Sequence, residues 1–163
     1  FEAIRNSARL LGYHAPPDDA YLGLRGMRTL AARIKRHEKN ALKVAEWLKG
    51  RQEVVDLRHP AFPSCPGHDN WKRDFSGSSG LFSVLLKEGS DDAVAALIDG
   101  LELFALGASW GGYESLVLRT RLTRSVTDWD IKTPCVRFHI GLEDPDDLIE
   151  DLKAGLDRYT AAT

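Results

Sequence analysis

Pro134-Cys-Val-Arg-Phe-His-Ile-Gly-Leu-Glu-Asp-Pro-Asp-Asp147 reads as a strand, a glycine turn and the capped start of a helix. Successive strand side chains point to opposite faces, so Val136, Phe138 and Ile140 make an apolar face while Cys135, Arg137 and His139 share the other. Gly141 permits the bend, Asp144 is placed to cap, and Pro145 suits the first helical position. Asp146 and Asp147 then complement the positive end of the helix. Leu148, Ile149, Leu152, Leu156 and Tyr159 follow helical spacing and are expected to cover the Val136, Phe138 and Ile140 face. The opposite face must meet something polar. Two readings of Arg137 are open from the strand alone: an internal ion pair, or a two-pronged grip on a planar anion such as a carboxylate.

The chain has 163 residues and 43% hydrophobic content, enough for one real core. Its 22 basic and 24 acidic side chains give a formal charge of −2, which argues against a general affinity for nucleic acid or anionic membranes. No apolar run approaches the roughly 18 residues that a membrane span needs, and no signal core follows the N-terminus, so a cytoplasmic location is the default expectation. Cys65 and Cys135 make neither a disulfide framework nor a metal pattern; reduced thiols are expected, and Cys65 with His68 is too little for a metal site.

In chain order, Phe1 to Leu11 reads as a helix ending near Gly12, with Ile4, Ala8 and Leu11 on one side, and looks cut from something longer. The adjacent prolines Pro16 and Pro17 are expected to interrupt regular structure and mark a boundary. The spacing of Met27, Leu30, Ile34, Ala41, Ala45 and Leu48 predicts one long helix from about Leu22 to Lys49. Its arginines and lysines raise the question of nucleic acid, but no second recognition helix follows, and Glu38, Glu46 and the acidic C-terminal half oppose a phosphate-binding face. Val54 to Arg58 reads as a strand, Ala61 to Gly80 as a surface connection anchored by Trp71, and Leu81 to Lys87 as a central strand. Ser90 is placed to cap a helix carrying Val94, Leu97, Ile98 and Leu101. Leu103 to Leu118 then holds two apolar segments joined by small and polar residues, where Gly111 and Gly112 allow positive φ or close approach of backbone.

Two separated motifs, Ser109-Trp-Gly-Gly-Tyr-Glu-Ser115 and Val136-Arg-Phe-His-Ile-Gly-Leu-Glu-Asp144, together resemble the cystathionine β-lyase branch of the Cys/Met-metabolism enzymes that depend on pyridoxal phosphate. The resemblance extends to Arg25-Gly-Met-Arg-Thr-Leu30, Asn40-Ala-Leu-Lys-Val-Ala-Glu-Trp-Leu48 and Trp71-Lys-Arg-Asp-Phe-Ser-Gly-Ser-Ser-Gly-Leu-Phe82, and so covers essentially the whole chain. It implies the family's C-terminal domain, an α/β (α+β) layer of mainly antiparallel strands with helices on one face and a substrate site on the other. Residues 1–20 would then be a remnant of the large domain and its linker, and residues 21–163 the substrate-binding domain with its long connecting helix.

The same resemblance assigns Arg137 to the substrate α-carboxylate and places Ser109 and Trp110 beside it as substrate-positioning residues. Trp110 favours the β-lyase branch over γ-synthases and γ-lyases, which commonly carry leucine there, while Ala108 stands where some β-lyases carry tyrosine. His139 and Cys135 receive no catalytic task. The implied reaction is α,β-elimination of cystathionine to homocysteine, pyruvate and ammonia by a cytoplasmic homo-oligomer acting on a sulfur amino acid. None of the lysines here stands in the family's cofactor-lysine context, Lys132 included, so the catalytic lysine and the pyridoxal phosphate site are expected in the large domain upstream of Phe1. The alternatives are a γ-synthase or γ-lyase domain, or a non-catalytic assembly module whose uncovered face draws copies together.

Overall fold

The structure, a computed structural model, describes residues 1–121, 125–126 and 133–163. The chain separates into two compact units, Phe1–Ala32 and Arg33–Thr163. The first carries α1 (Glu2–Leu11) and α2 (Pro17–Arg28). Gly12, with φ of 70°, closes α1 in the left-handed conformation that glycine adopts without a Cβ penalty.

The adjacent prolines do not exclude helix as expected. Pro17 is the first residue of α2, where its missing N–H is no loss, and Pro16 is the flanking cap. The single long helix from Leu22 is likewise two: α2 ends at Thr29, whose φ of −106° and ψ of 1° leave the helical region, and α3 runs over Leu30–Lys49. The apolar stripe read across both is buried only from the middle of α3 onward, at Ala41, Val44, Ala45 and Leu48, while Met27, Leu30 and Ile34 remain exposed.

The second unit is built on a five-stranded sheet, β1 (Val54–Arg58), β2 (Leu81–Leu86), β3 (Phe104–Leu106), β4 (Ser115–Thr120) and β5 (Cys135–His139), in the order β1-β2-β5-β4-β3. All neighbours are antiparallel except β3 and β4. The strand containing Arg137 is therefore the middle one, with β2 beside it. Phe82, Val84, Val136, Phe138 and Val117 face one continuous core into which α3, α5 (Asp91–Asp99) and α6 (Pro145–Ala162) bury Val44, Leu48, Leu97, Leu148, Leu152 and Leu156. Burying each such side chain contributes about 1.5–3 kcal/mol. Phe138 sits at the centre, with the rings of Phe82 and Phe104 at 5.8 and 5.7 Å.

Both caps read from the sequence are made: Ser90 Oγ accepts the Ala93 N–H at 3.0 Å, and Asp144 Oδ1 accepts that of Asp146 at 2.9 Å. One helix was not anticipated. His68–Asp74 forms the short α4 inside the stretch read as a connection, and Trp71 on it anchors the following loop by donating from Nε1 to the Gly77 carbonyl at 3.1 Å.

On the opposite face the register sets Ser83, Arg137 and Leu118 abreast across β2, β5 and β4. All three are half-buried. The two edges of the sheet are unlike: β3 has three residues, whereas β1 breaks its register with β2 between Val54 and Asp56.

Candidate functional site

Arg137 leaves β5 on the face opposite Val136 and Phe138. Among the described residues it makes no ion pair, so the internal salt bridge that the strand alone allowed is not formed there. Its Nη2 instead donates to the carbonyls of Gly107 and Ala108, at 3.3 and 2.9 Å. Nε and Nη1 have no hydrogen-bond partner among the described residues. A guanidinium anchored through one amino group, with Nε and Nη1 still without partners, keeps donors for a further acceptor.

The segment that Arg137 touches runs from β3 to β4 and carries Ser109 and Trp110, both exposed; Trp110 shows 61% of its surface. Their side chains make no hydrogen bond among the described residues. What holds them is backbone on either side. Gly111, in the positive-φ region at 86°, donates its N–H to His139 Nε2 at 3.0 Å, and its carbonyl lies 3.4 Å from Arg33 Nε on α3. A side chain at Gly111 would be strained whatever the space around it.

Lower down, Glu143 receives the Ser115 N–H at 2.7 Å and the Ser115 hydroxyl at 2.8 Å, while Ser115 Oγ accepts from the Gly141 N–H at 2.9 Å. Gly141 has no room for a Cβ, which would come within 2.3 Å of the Tyr113 carbonyl. Asn40, fully buried on α3, donates to the carbonyls of Gly141 and Glu143 at 3.1 and 3.0 Å. These bonds fasten the start of β4 and the end of β5 together and to α3, leaving the 107–114 segment as a lip beside Arg137.

His37 and His139 meet edge to face with ring centroids 5.0 Å apart, and both are almost fully buried. Burial lowers the pKa of each below the usual imidazole value. For His139 the neighbouring His37 and Arg137 act in the same direction, against the Gly112 backbone and Glu143. Burial also pushes the Cys135 thiol up, which keeps it protonated and unreactive. The sequence placed His139 on the Arg137 face with no catalytic task, as packing or as a support behind the site; its bond to Gly111, 28 residues away, is what that reading missed.

A family model described as Cys/Met metabolism PLP-dependent enzyme matches residues 2–157. The chain belongs to that family. It is 45% identical over 164 residues to cystathionine beta-lyase MetC of Escherichia coli K12, covering 97% of this chain and 42% of that protein. It is also 41% identical over 162 residues to an L-alanine/L-glutamate racemase of Wolbachia pipientis wMel, covering 97% of this chain and 40% of that protein. Among solved structures it resembles cystathionine gamma synthase of Xanthomonas oryzae pv. oryzae, crystallised with aminoacrylate and cysteine, at a TM-score of 0.83 and 37% identity over 96% of this chain and 42% of that one. The chain thus spans about two-fifths of the length of these relatives.

The Cys/Met-metabolism family implies pyridoxal phosphate, and the described residues of this chain do not fit the group. Lys35, Lys39, Lys43, Lys49, Lys72, Lys87 and Lys153 are all exposed, on helices or just after β2, and none is on the strand face that carries Arg137. Lys132 lies outside the described residues.

Proposed function

We propose that this chain is the C-terminal substrate-binding part of a longer carbon–sulfur lyase that cleaves cystathionine by α,β-elimination to homocysteine, pyruvate and ammonia. In this reading residues 1–20 belong with the large domain that supplies the catalytic lysine, and that domain covers the open face of the sheet within a homo-oligomer. Pyridoxal phosphate bound there provides the electron sink at the α-carbon. The task of this chain is to hold the amino acid still: the unengaged donors of Arg137 take the α-carboxylate, and Ser109 and Trp110 flank it.

The observation that carries the proposal is Arg137 itself, half-buried on the face opposite Val136 and Phe138, without an ion pair among the described residues, and bonded to the backbone just before Ser109 and Trp110. An arginine kept only for stability has no reason to stand there with donors left over. Carboxylate capture serves elimination, replacement and racemisation alike, which accords with the different names carried by the relatives. A γ-synthase reading is supported by the TM-score of 0.83 to the Xanthomonas oryzae enzyme; Trp110 tips the balance to β-cleavage.

The test is the product profile of the intact enzyme with cystathionine, for wild type and Arg137→Ala. Homocysteine with pyruvate is expected from wild type, and cysteine with a four-carbon keto acid would establish γ-cleavage instead. Removing a charge-assisted pair at the carboxylate is expected to lower kcat/KM about a hundredfold. Unchanged kcat/KM in the variant would remove Arg137 from the site.

A further inference from the structure

Two side chains of one strand hold the lip from both ends. Arg137 bonds the carbonyls of Gly107 and Ala108, and His139, two residues on and on the same face, accepts the Gly111 N–H. Only Ser109 and Trp110 lie between the gripped positions. A strand advances about 3.3 Å per residue, so the two grips are separated by roughly 6.6 Å along a rigid, three-strand-supported scaffold. The span that carries the exposed indole is thereby set against the arginine.

The ring of His139 is itself fixed. His37 stands edge-on to it at 5.0 Å, and Gly80 leaves it space, since a Cβ there would lie 2.9 Å from both Cε1 and Nδ1. Accepting through Nε2 requires the proton on Nδ1, and Nδ1 has no partner among the described residues. A buried N–H without a partner carries a desolvation penalty. Leucine or methionine would fill the same space without that cost, so packing does not account for an imidazole here. The acceptor lone pair does.

We infer that His139 is a positioning residue for substrate: by accepting the Gly111 amide it fixes the Ser109–Trp110 span relative to Arg137, and so sets where the substrate's side chain lies once its carboxylate is held. This rests on the reading of Arg137 as the carboxylate grip. The acceptor must be neutral, since a protonated ring would turn an N–H toward the Gly111 N–H. Three charged or titratable groups act on that state, His37 from α3, Arg137 from β5 and Glu143 beyond Gly141, while Arg33 from α3 acts on His37.

The experiment uses the intact enzyme with three substitutions. His139→Gln keeps an acceptor close to the position of Nε2, whereas His139→Leu and His139→Met fill space without an equivalent one. The first readout is amide exchange at Gly111, which needs no substrate. Exchange is expected to accelerate at least tenfold in the Leu and Met variants and to stay near wild type in the Gln variant. The second is kcat/KM for cystathionine, expected to fall about tenfold to a hundredfold in Leu and Met and to recover in Gln.

A packing role predicts the reverse ranking, with Met and Leu closer to wild type than Gln, and that result overturns the inference. So does unchanged exchange at Gly111, or faster exchange with unchanged kcat/KM. Should the Leu variant not fold, the Gln and Met pair decides by the same criteria. If wild type does not turn over cystathionine, the proposed reaction falls. The inference is then judged on L-alanine binding by calorimetry, where Gln is expected to bind as wild type does and Met at least tenfold more weakly; equal binding by all three overturns it.

Discussion

The two faces of the central strand are built from alternate residues of the same five-residue segment and do opposite work. Val136 and Phe138 meet three helices and are sealed, whereas Arg137 keeps donors unspent and His139 reaches across to a loop backbone. Stability and chemistry are separated here by a single residue of register. A slip of one position in β5 would bury a guanidinium under the helices and turn Phe138 toward the lip.

The largest effect that tests this separation is expected from the sealed face. Phe138→Ala removes a ring that is 1% exposed and packed against Phe82 and Phe104. It is expected to cost about 3–5 kcal/mol, measured by denaturant unfolding. A loss under about 1 kcal/mol would show that the helix layer does not depend on that residue.

A smaller effect is expected from acid. His37, His59 and His139 all have pKa values lowered mainly by burial. The folded protein therefore binds fewer protons at these positions than the unfolded chain. Their contribution is fully present above the unfolded imidazole value of about 6.5 and is lost as the pH falls from there through the folded values. Thermal midpoints should decline over that interval, and His139→Gln should make the decline shallower. A flat profile would mean that these rings are not held neutral. His59 lies beside Phe62 and Phe82, so the difference between its replacement and that of His139 divides the acid sensitivity between the core and the lip.

The smallest effect on stability is expected from the residue with the greatest expected effect on activity. Arg137→Ala should change the unfolding free energy by no more than about 0.5–1 kcal/mol, because it breaks two bonds to carbonyls at a half-exposed position and no ion pair among the described residues. A loss as large as that of Phe138→Ala would dissolve the contrast between the faces and return Arg137 to a structural role.

The central strand and the last helix were legible because each part of their sequence agrees: alternation of period two, a glycine that must turn, a capping aspartate and a proline at the first helical position. The break at Thr29 was not. The apolar spacing runs through it without a change of phase, and no glycine or proline marks the point. Pro17 carried the opposite hazard: read as a breaker, it opens a helix instead. The short α4 is hidden in a stretch whose glycines, prolines and serines outweigh its few helix formers. Arg137 could be found because strand alternation is local. His139 could be placed on the right face by the same rule, yet its partner is a backbone amide in a distant loop, and sequence pattern does not report such bonds.

The unlike edges of the sheet bear on what could be added to it. A sheet margin is a template on which another chain can add a strand, and the two margins here are blunted by different means. One is only three residues long, while the other is kinked by its register shift and carries Asp56 and Arg58. Addition of a further strand is disfavoured at both ends, which opposes fibre-like stacking.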